Sequence, residues 1–214
     1  MKTTSHLLAL VVLLAEHLSE ASPLKRENLI TKRDTSKTQR PELGTVAYGL
    51  DIRRCTEPGK IALTFDDGPW RYTSELLDLL DKNEDVKATF FVVGNNAEHG
   101  RIDDPKTKYP KILRRMHDAG HQIGSHTWTH ADLQKLDTAG RREEILKNEE
   151  AFANILGFFP TYLRPPYTDC REDCIADLGA LGYHVVSFNP VSRPVHTRKE
   201  NRERGRKKGI SLLT

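Results

Sequence analysis

The sequence has no hydrophobic run long enough to cross a lipid bilayer as a helix. The longest apolar stretch, from Leu7 to Ala15, is well short of the about 20 residues that a membrane-spanning helix needs. Because of this short length, we expect no stable membrane association. No Asn-x-Ser/Thr sequence occurs among the 214 residues, so no N-linked glycan is predicted. Hydrophobic residues still make up 37% of the chain, which is enough for one sizeable globular core.

The body of the chain also lacks a basic stripe interleaved with aromatic residues. The formal net charge of +3 is unevenly distributed. Between Arg193 and Lys208, eight basic side chains stand against two acidic ones, which gives +6 there and leaves −3 for the rest of the chain. A reading as a basic nucleic-acid-binding protein would rest on this tail alone, so we expect no nucleic-acid partner. No feature of the sequence indicates an oligomeric state.

Cysteine is scarce, with three residues in the whole chain. Cys170 and Cys174 are close enough in sequence to form a disulfide within one loop or helical turn in an oxidising compartment. Cys55 is then the odd cysteine. It is either a thiol or the partner of a cysteine that this polypeptide does not contain.

The first residues have the pattern of a secretory signal peptide. Lys2 precedes the apolar run, and Ser19 and Ala21 supply small residues for cleavage, which predicts a signal peptide over residues 1–21. The alternative is a buried N-terminal helix. Two Lys-Arg pairs follow within residues 22–33 and are typical of a propeptide with processing sites. We therefore expect a protein secreted to the extracellular space or cell wall.

Strand and helix patterns alternate from residue 59 to residue 189, after a polar lead-in segment over residues 34–58. The sequence predicts buried strands at "KIALTF", "KATFFVVG", "HQIGS", "TYLRPPY" and "YHVVSF". Helices are predicted at about residues 73–82, 109–120, 138–156 and 172–182. This alternation indicates an α/β fold with a parallel sheet, open or closed into a barrel. Residues 190–214 lack apolar periodicity over most of their length and predict a disordered basic tail.

Three polar motifs come at the ends of predicted strands. "TFDDGP" follows the first strand, "SHTWTH" follows the third and "RPPY" closes the fourth. Because the carboxyl ends of parallel strands lie at one edge of a sheet or barrel, we expect these motifs to converge on one site.

The first two motifs contain the residues of a candidate metal site. His126 and His130 are four residues apart, so on a helical turn their imidazoles would project from the same face. One carboxylate from Asp66 or Asp67 would complete a set of two histidines and one aspartate, which suits zinc and other divalent ions. The second carboxylate would then be available to take a proton from an attacking water. Alternatively, the two histidines at this spacing are solvent-exposed surface residues that bind no metal.

The third motif offers groups that could assist such chemistry. Arg164 is suited to orient the base carboxylate through a bidentate pair. Pro165 and Pro166 stiffen the loop, and the backbone N–H of Tyr167 is available to a developing oxyanion. The milder alternatives are a surface ion-pair residue for Arg164 and a packed aromatic for Tyr167.

Taken in order, "TFDDGP", "SHTWTH" and "RPPY" resemble motifs one to three of the polysaccharide deacetylase family, also called the NodB homology domain or carbohydrate esterase family 4. With the signal peptide and "RPPYTDCREDC", the chain is most similar to the fungal chitin deacetylases of that family. The resemblance implies a deformed (β/α) barrel of the glycoside hydrolase/deacetylase type. It also implies a hydrolase that removes N-acetyl groups from a chitin-like polysaccharide or oligosaccharide with a divalent metal, often zinc.

The resemblance, and not the spacing, assigns the separate roles. It makes Asp66 the base and Arg164 its partner, and it makes Tyr167 an oxyanion donor. The metal ligands that it implies are Asp67, His126 and His130. The same motifs occur in chitin, xylan and peptidoglycan deacetylases, so the polymer stays open among these three.

The sequence departs from the family pattern after the fifth strand. Family members continue with a fourth motif and with a fifth, Leu-x-His, whose histidine is the general acid; here neither follows "HVVSFN", and His196 is the only later histidine. In fungal relatives a cysteine placed like Cys55 pairs with one near the C-terminus. We therefore expect a C-terminally truncated domain. The alternative function is a catalytically defective family member that binds metal or glycan without turnover.

Overall fold

The computed structural model describes residues 34–40 and 45–188 and the backbone of a strand at residues 210–213. The predicted signal peptide, the predicted propeptide, His196 and most of the predicted basic tail lie outside the described residues. Within the described part, no helix combines the length and the apolar character that crossing a membrane requires.

The strands and helices alternate as the sequence predicts. The strands are β1 (Asp51–Ile52), β2 (Ala62–Asp66), β3 (Ala88–Val92), β4 (Asn95–Asn96), β5 (Gly100–Arg101), β6 (Gln122–Ser125), β7 (Tyr162–Leu163), β8 (His184–Val186) and β9 (Ile210–Leu213). The α-helices are α1 (Thr73–Asp81), α2 (Tyr109–Asp118), α3 (Thr138–Leu156) and α4 (Glu172–Ala180). Short 3-10 turns cover Thr35–Lys37, Leu133–Lys135 and Pro166–Thr168.

Seven of the described strands form one sheet in the order β1-β8-β7-β6-β3-β2-β9. Neighbours from β1 to β2 pair in parallel, whereas β9 pairs antiparallel with β2. The sheet curls into a half-barrel with helices packed against it, which confirms the predicted α/β fold of the deformed-barrel type. The carboxyl ends of β2, β6 and β7 lie at the same edge, so the three motifs meet there.

The side chains of β3 point alternately to the two faces of the sheet, and both faces are buried in the core. Ala88, Phe90 and Val92 pack against apolar side chains of α1, α2 and α3, whereas Phe91 faces the concave side of the sheet with Val186. A second cluster lies under α4. Burial of both faces explains why β3 is a nearly continuous apolar run and does not alternate between apolar and polar residues.

Helix α3 has the predicted bounds because both of its ends are capped. The Asp137 carboxylate accepts a hydrogen bond from the Gly140 amide at 2.8 Å, and the helix ends at Gly157, whose φ is 83°. Beside α3 in the second cluster, Cys170 and Cys174 are joined in the predicted disulfide, with Cys174 inside α4.

Several short elements differ from the predictions. Strand β1 lies inside the predicted lead-in segment and pairs with β8, and β4 and β5 form a hairpin after β3. Strand β9 lies inside the predicted disordered tail, so that prediction is wrong for Ile210–Leu213. Each of these strands is only two to four residues long. Their pairing depends on an edge supplied by a distant strand or a neighbouring hairpin partner, and not on local periodicity.

Candidate active site

The two adjacent carboxylates leave the end of β2 in different directions. Asp66 is the last residue of β2, whereas Asp67 has a left-handed backbone with φ of 69°. This change of conformation turns Asp67 towards the loop after β6 and leaves Asp66 facing β7. The sequence left open which aspartate faces the histidines, and in the structure it is Asp67.

The two histidines lie on a loop, so the predicted helical turn is wrong. His126 follows β6 directly, and its amide donates to the Val92 carbonyl at 2.9 Å. The chain then passes through left-handed conformations at Thr127 and at His130, with φ of 69° and 62°. These two turns bring the rings of His126 and His130 to 5.0 Å between centroids. The imidazoles therefore converge without a helix.

Asp67, His126 and His130 form a compact cluster of possible metal ligands. One ligand atom from each lies within 4.8 Å of the others. The Asp67 Oδ1 atom is 3.1 Å from His130 Nε2 and 3.4 Å from His126 Nε2. Two ligands of a tetrahedral zinc ion lie about 3.4 Å apart. Within the described residues, this buried oxygen accepts no well-formed hydrogen bond. The donor set and its spacing therefore fit a divalent cation.

The position of the His126 ring is fixed by a contact between its Nδ1 atom and the third motif. His126 Nδ1 lies 2.6 Å from the backbone carbonyl oxygen of Arg164. Because a carbonyl oxygen can only accept, Nδ1 carries the proton and Nε2 is left to face Asp67. This is the arrangement in which a metal-binding histidine is oriented by a backbone carbonyl.

The charges around the cluster favour a cation. Burial acts to raise the pKa of Asp67, but the imidazoles of His126 and His130 outweigh it and hold that pKa well below its usual range. Burial likewise acts to lower the pKa of His126, and the neighbouring carboxylates raise it instead. The pocket therefore stabilises positive charge between these three groups, whether that charge is a proton or a metal ion.

Arg164 is fully buried, which rules out the surface ion-pair alternative. Its Nη1 atom donates to Asp66 Oδ1 and to Thr64 Oγ1, both at 2.8 Å. The expected bidentate pair with Asp66 does not form, because Nη2 points to the Ser187 carbonyl at 3.5 Å instead. Burial lowers the pKa of Arg164, and Asp66 opposes this effect. The guanidinium thus holds Asp66 through one charge-assisted hydrogen bond.

Sequence reasoning missed the residues that fix Arg164. Thr64 lies two residues before Asp66 on the same face of β2, and Phe91 places its ring 4.3 Å from the guanidinium carbon. The alternation of β2 could have indicated Thr64, because a polar residue facing the same side as a functional carboxylate is a candidate partner. The registers of β3 with β6 and of β6 with β7, which place Phe91 near Arg164, are not visible in the sequence.

Tyr167 lies at the rim of the site and is 63% exposed, so it is not a packed core aromatic. Its backbone is left-handed, with φ of 60°, and its ring meets the His130 ring edge-on at 4.9 Å. The Tyr167 amide makes no hydrogen bond within the part of the chain that the structure describes. It is therefore available to an oxygen atom bound beside the histidines.

A cavity of about 250 Å³ opens beside the two aspartates. Trp70 and Tyr72 line it together with Phe65, Leu76 and Met116. Trp70 stacks on His99 with 4.3 Å between ring centroids, and Tyr72 is 58% exposed. Aromatic rings beside carboxylates are suited to the apolar face of a sugar ring.

A family model described as polysaccharide deacetylase matches residues 53–186. A chitin deacetylase from Pestalotiopsis sp is 52% identical over 145 residues, which are 68% of this chain and 46% of that protein. A peptidoglycan-N-acetylglucosamine deacetylase from Bacillus cereus is 42% identical over 61% of this chain and 44% of its own length. The chain thus spans about half the length of the curated relatives that it matches.

Solved structures give the same result. The chitin deacetylase from Colletotrichum lindemuthianum superposes with a TM-score of 0.63 at 46% identity, covering 66% of this chain and 61% of that one. A family 4 carbohydrate esterase from Streptomyces lividans superposes with a TM-score of 0.53 at 29% identity, covering 62% and 64%.

Proposed function

Because the chain belongs to the polysaccharide deacetylase family, we propose that it is a metal-dependent hydrolase that removes N-acetyl groups from chitin or chito-oligosaccharides. The observation that carries this proposal is the convergence of Asp67, His126 and His130 next to an aspartate held by a buried arginine. Two histidines and one carboxylate with room for further ligands match catalytic zinc sites. We therefore propose Zn²⁺ as the ion.

Each functional group of the site would have a separate role in amide hydrolysis. Zinc, when bound, would activate water and polarise the amide carbonyl. Asp66 would take the proton of the attacking water and return it to the departing amine nitrogen as the C–N bond breaks, and its hydrogen bond to Arg164 holds the carboxylate in place for both transfers. The Tyr167 amide would donate to the oxyanion that develops on the carbonyl oxygen.

N-acetylglucosamine polymers are the proposed substrate class. The relatives named above are a chitin deacetylase and a peptidoglycan-N-acetylglucosamine deacetylase, and their names share this sugar. Within the group, the higher identity to the chitin deacetylase supports chitin-type chains. Trp70 and Tyr72 offer aromatic surface for a sugar ring beside the carboxylates.

Acetate release by the zinc-loaded full chain tests the substrate. We expect release from N-acetylated chito-oligosaccharides, weaker release from peptidoglycan and none from acetylated xylan, where the acetyl group is an ester. Release from xylan alone would contradict the proposed substrate class. Zinc binding without acetate release from any polymer would instead favour the family member that binds without turnover.

A further inference from the structure

The loop that carries both histidines is held in a costly backbone conformation. Thr127 and His130 are both left-handed, with φ of 69° and 62°. Residues other than glycine rarely adopt this conformation, and a β-branched residue such as Thr127 does so least readily. Such a conformation persists only where the surroundings fix it. The contacts of this loop therefore determine whether His126 and His130 stay together.

The first half of the loop is fixed by the strands and the hairpin. The Gly94 amide donates to the Thr127 carbonyl at 3.0 Å, and the Asn95 amide donates to the Trp128 carbonyl at 2.6 Å. With the Arg164 carbonyl on its Nδ1 atom, His126 is anchored on both sides. None of these bonds reaches Thr129 or His130.

The remaining anchors come from one face of α3. Arg141, Glu144 and Asn148 are spaced three and four residues apart, so they share a face of the helix. Asn148 Nδ2 donates to Ser125 Oγ at 2.9 Å, just before the loop. Arg141 Nε donates to the Leu133 carbonyl at 2.9 Å, just after it. The helix thus holds the loop at both of its ends.

Glu144 holds the middle of the loop. Its carboxylate accepts two hydrogen bonds from Thr129, one from the amide and one from the hydroxyl, each 2.8 Å long. Thr129 immediately precedes His130. Among the described residues, the amide and the hydroxyl of Thr129 make these two hydrogen bonds and no others. A fork of this kind fixes both the position and the rotation of the peptide that leads into His130.

We propose that Glu144 is a positioning residue for the metal site, acting through Thr129 to hold His130 Nε2 within reach of Asp67 and His126. This inference rests on the proposed metal-dependent function. Outer partners of a metal ligand typically change metal affinity 10–100-fold when they are removed. Glu144 makes its contact to the residue before the ligand, so we expect an effect at the lower end of that range.

We would measure the zinc affinity of the purified full chain by competition with a chromophoric chelator. The thermal midpoint of the metal-free protein would be measured for each variant as well. Glu144→Ala should weaken zinc binding by about tenfold. Thr129→Val should weaken it as well, although it leaves the negative charge of Glu144 in place, whereas Thr129→Ser keeps both donors and should bind as the wild type does. The matched control is Glu143→Gln on the exposed side of α3, which pairs with Lys147 and should leave zinc affinity unchanged.

The outcomes separate this inference from the proposed function. Equal zinc affinity in the wild type and Glu144→Ala overturns the inference alone. A loss in Glu144→Gln as large as that in Glu144→Ala also overturns it, because the effect would then be one of charge and not of the acceptor oxygens that Thr129 contacts. If the wild type binds no zinc, the proposed function falls and the inference falls with it. Should Glu144→Ala fold poorly, Glu144→Gln, which keeps one acceptor for Thr129, should show an intermediate affinity.

Discussion

Replacing His130 with alanine is expected to reduce zinc affinity by more than about 100-fold, because a direct ligand contributes more than the 10–100-fold of an outer partner. The His130 Nε2 atom lies 3.1 Å from Asp67 Oδ1, and its loss leaves the cation with one imidazole and one carboxylate. Acetate release should be lost in parallel at zinc concentrations that saturate the wild type. Zinc titration and acetate release measure both effects.

His130 is a suitable position for this test because its side chain is only partly buried, so the substitution leaves no large core cavity. The matched control is His117→Ala, an exposed histidine on α2 that lies beside Phe158 and Asp118. This variant should bind zinc and release acetate as the wild type does. Wild-type zinc affinity in His130→Ala would show that the cluster is not the metal site.

Replacing Asp66 or Asp67 singly with asparagine should affect different properties, namely turnover in the first case and zinc binding in the second. Asp66→Asn is expected to reduce acetate release per bound zinc by about 10²–10⁴-fold, since an amide cannot take a proton from water. Its zinc affinity should stay close to that of the wild type, because Asp66 faces Arg164 and not the imidazoles. Asp67→Asn should instead lose zinc, because it removes the only carboxylate in the described ligand cluster.

The control for both exchanges is Asp85→Asn, an exposed aspartate between α1 and β3. Asp66→Asn also leaves the buried Arg164 without its charged partner, so its stability should fall, and activity must be measured well below its thermal midpoint. If Asp66→Asn loses zinc while Asp67→Asn retains it, the assignment of the two carboxylates is reversed.

The sequence was sufficient to predict the architecture that carries the site. Strand β3 is a nearly continuous apolar run and β2 is largely apolar up to its last residue, and α3 has a capping aspartate and a terminal glycine, so local chemistry determines these elements. Parallel topology then brings the ends of β2, β6 and β7 to one edge. The convergence of the aspartates, the histidines and Arg164 follows from that rule and from the order of the motifs.

The details that the sequence could not supply depend on distant contacts. A helical turn was predicted for His126 to His130 because their spacing fits one, but Thr127 and His130 adopt left-handed backbones that neither residue type favours. Glu144 and Asn148 hold the loop from helix α3, through contacts to residues 15 and 23 positions earlier in the chain. In the same way, the single bond from Arg164 to Asp66 reflects competition from Thr64 and Ser187. Strand β9 forms where β2 offers an edge.

Metal removal and restoration test the central claim most directly. The wild-type full chain would be treated with a strong chelator, assayed for acetate release from N-acetylated chito-oligosaccharide, and assayed again after one equivalent of zinc is added. The account predicts that release stops on chelation and returns with zinc, with half of the recovery reached below one equivalent. Release that continues in the chelated protein, with no zinc bound, would contradict it.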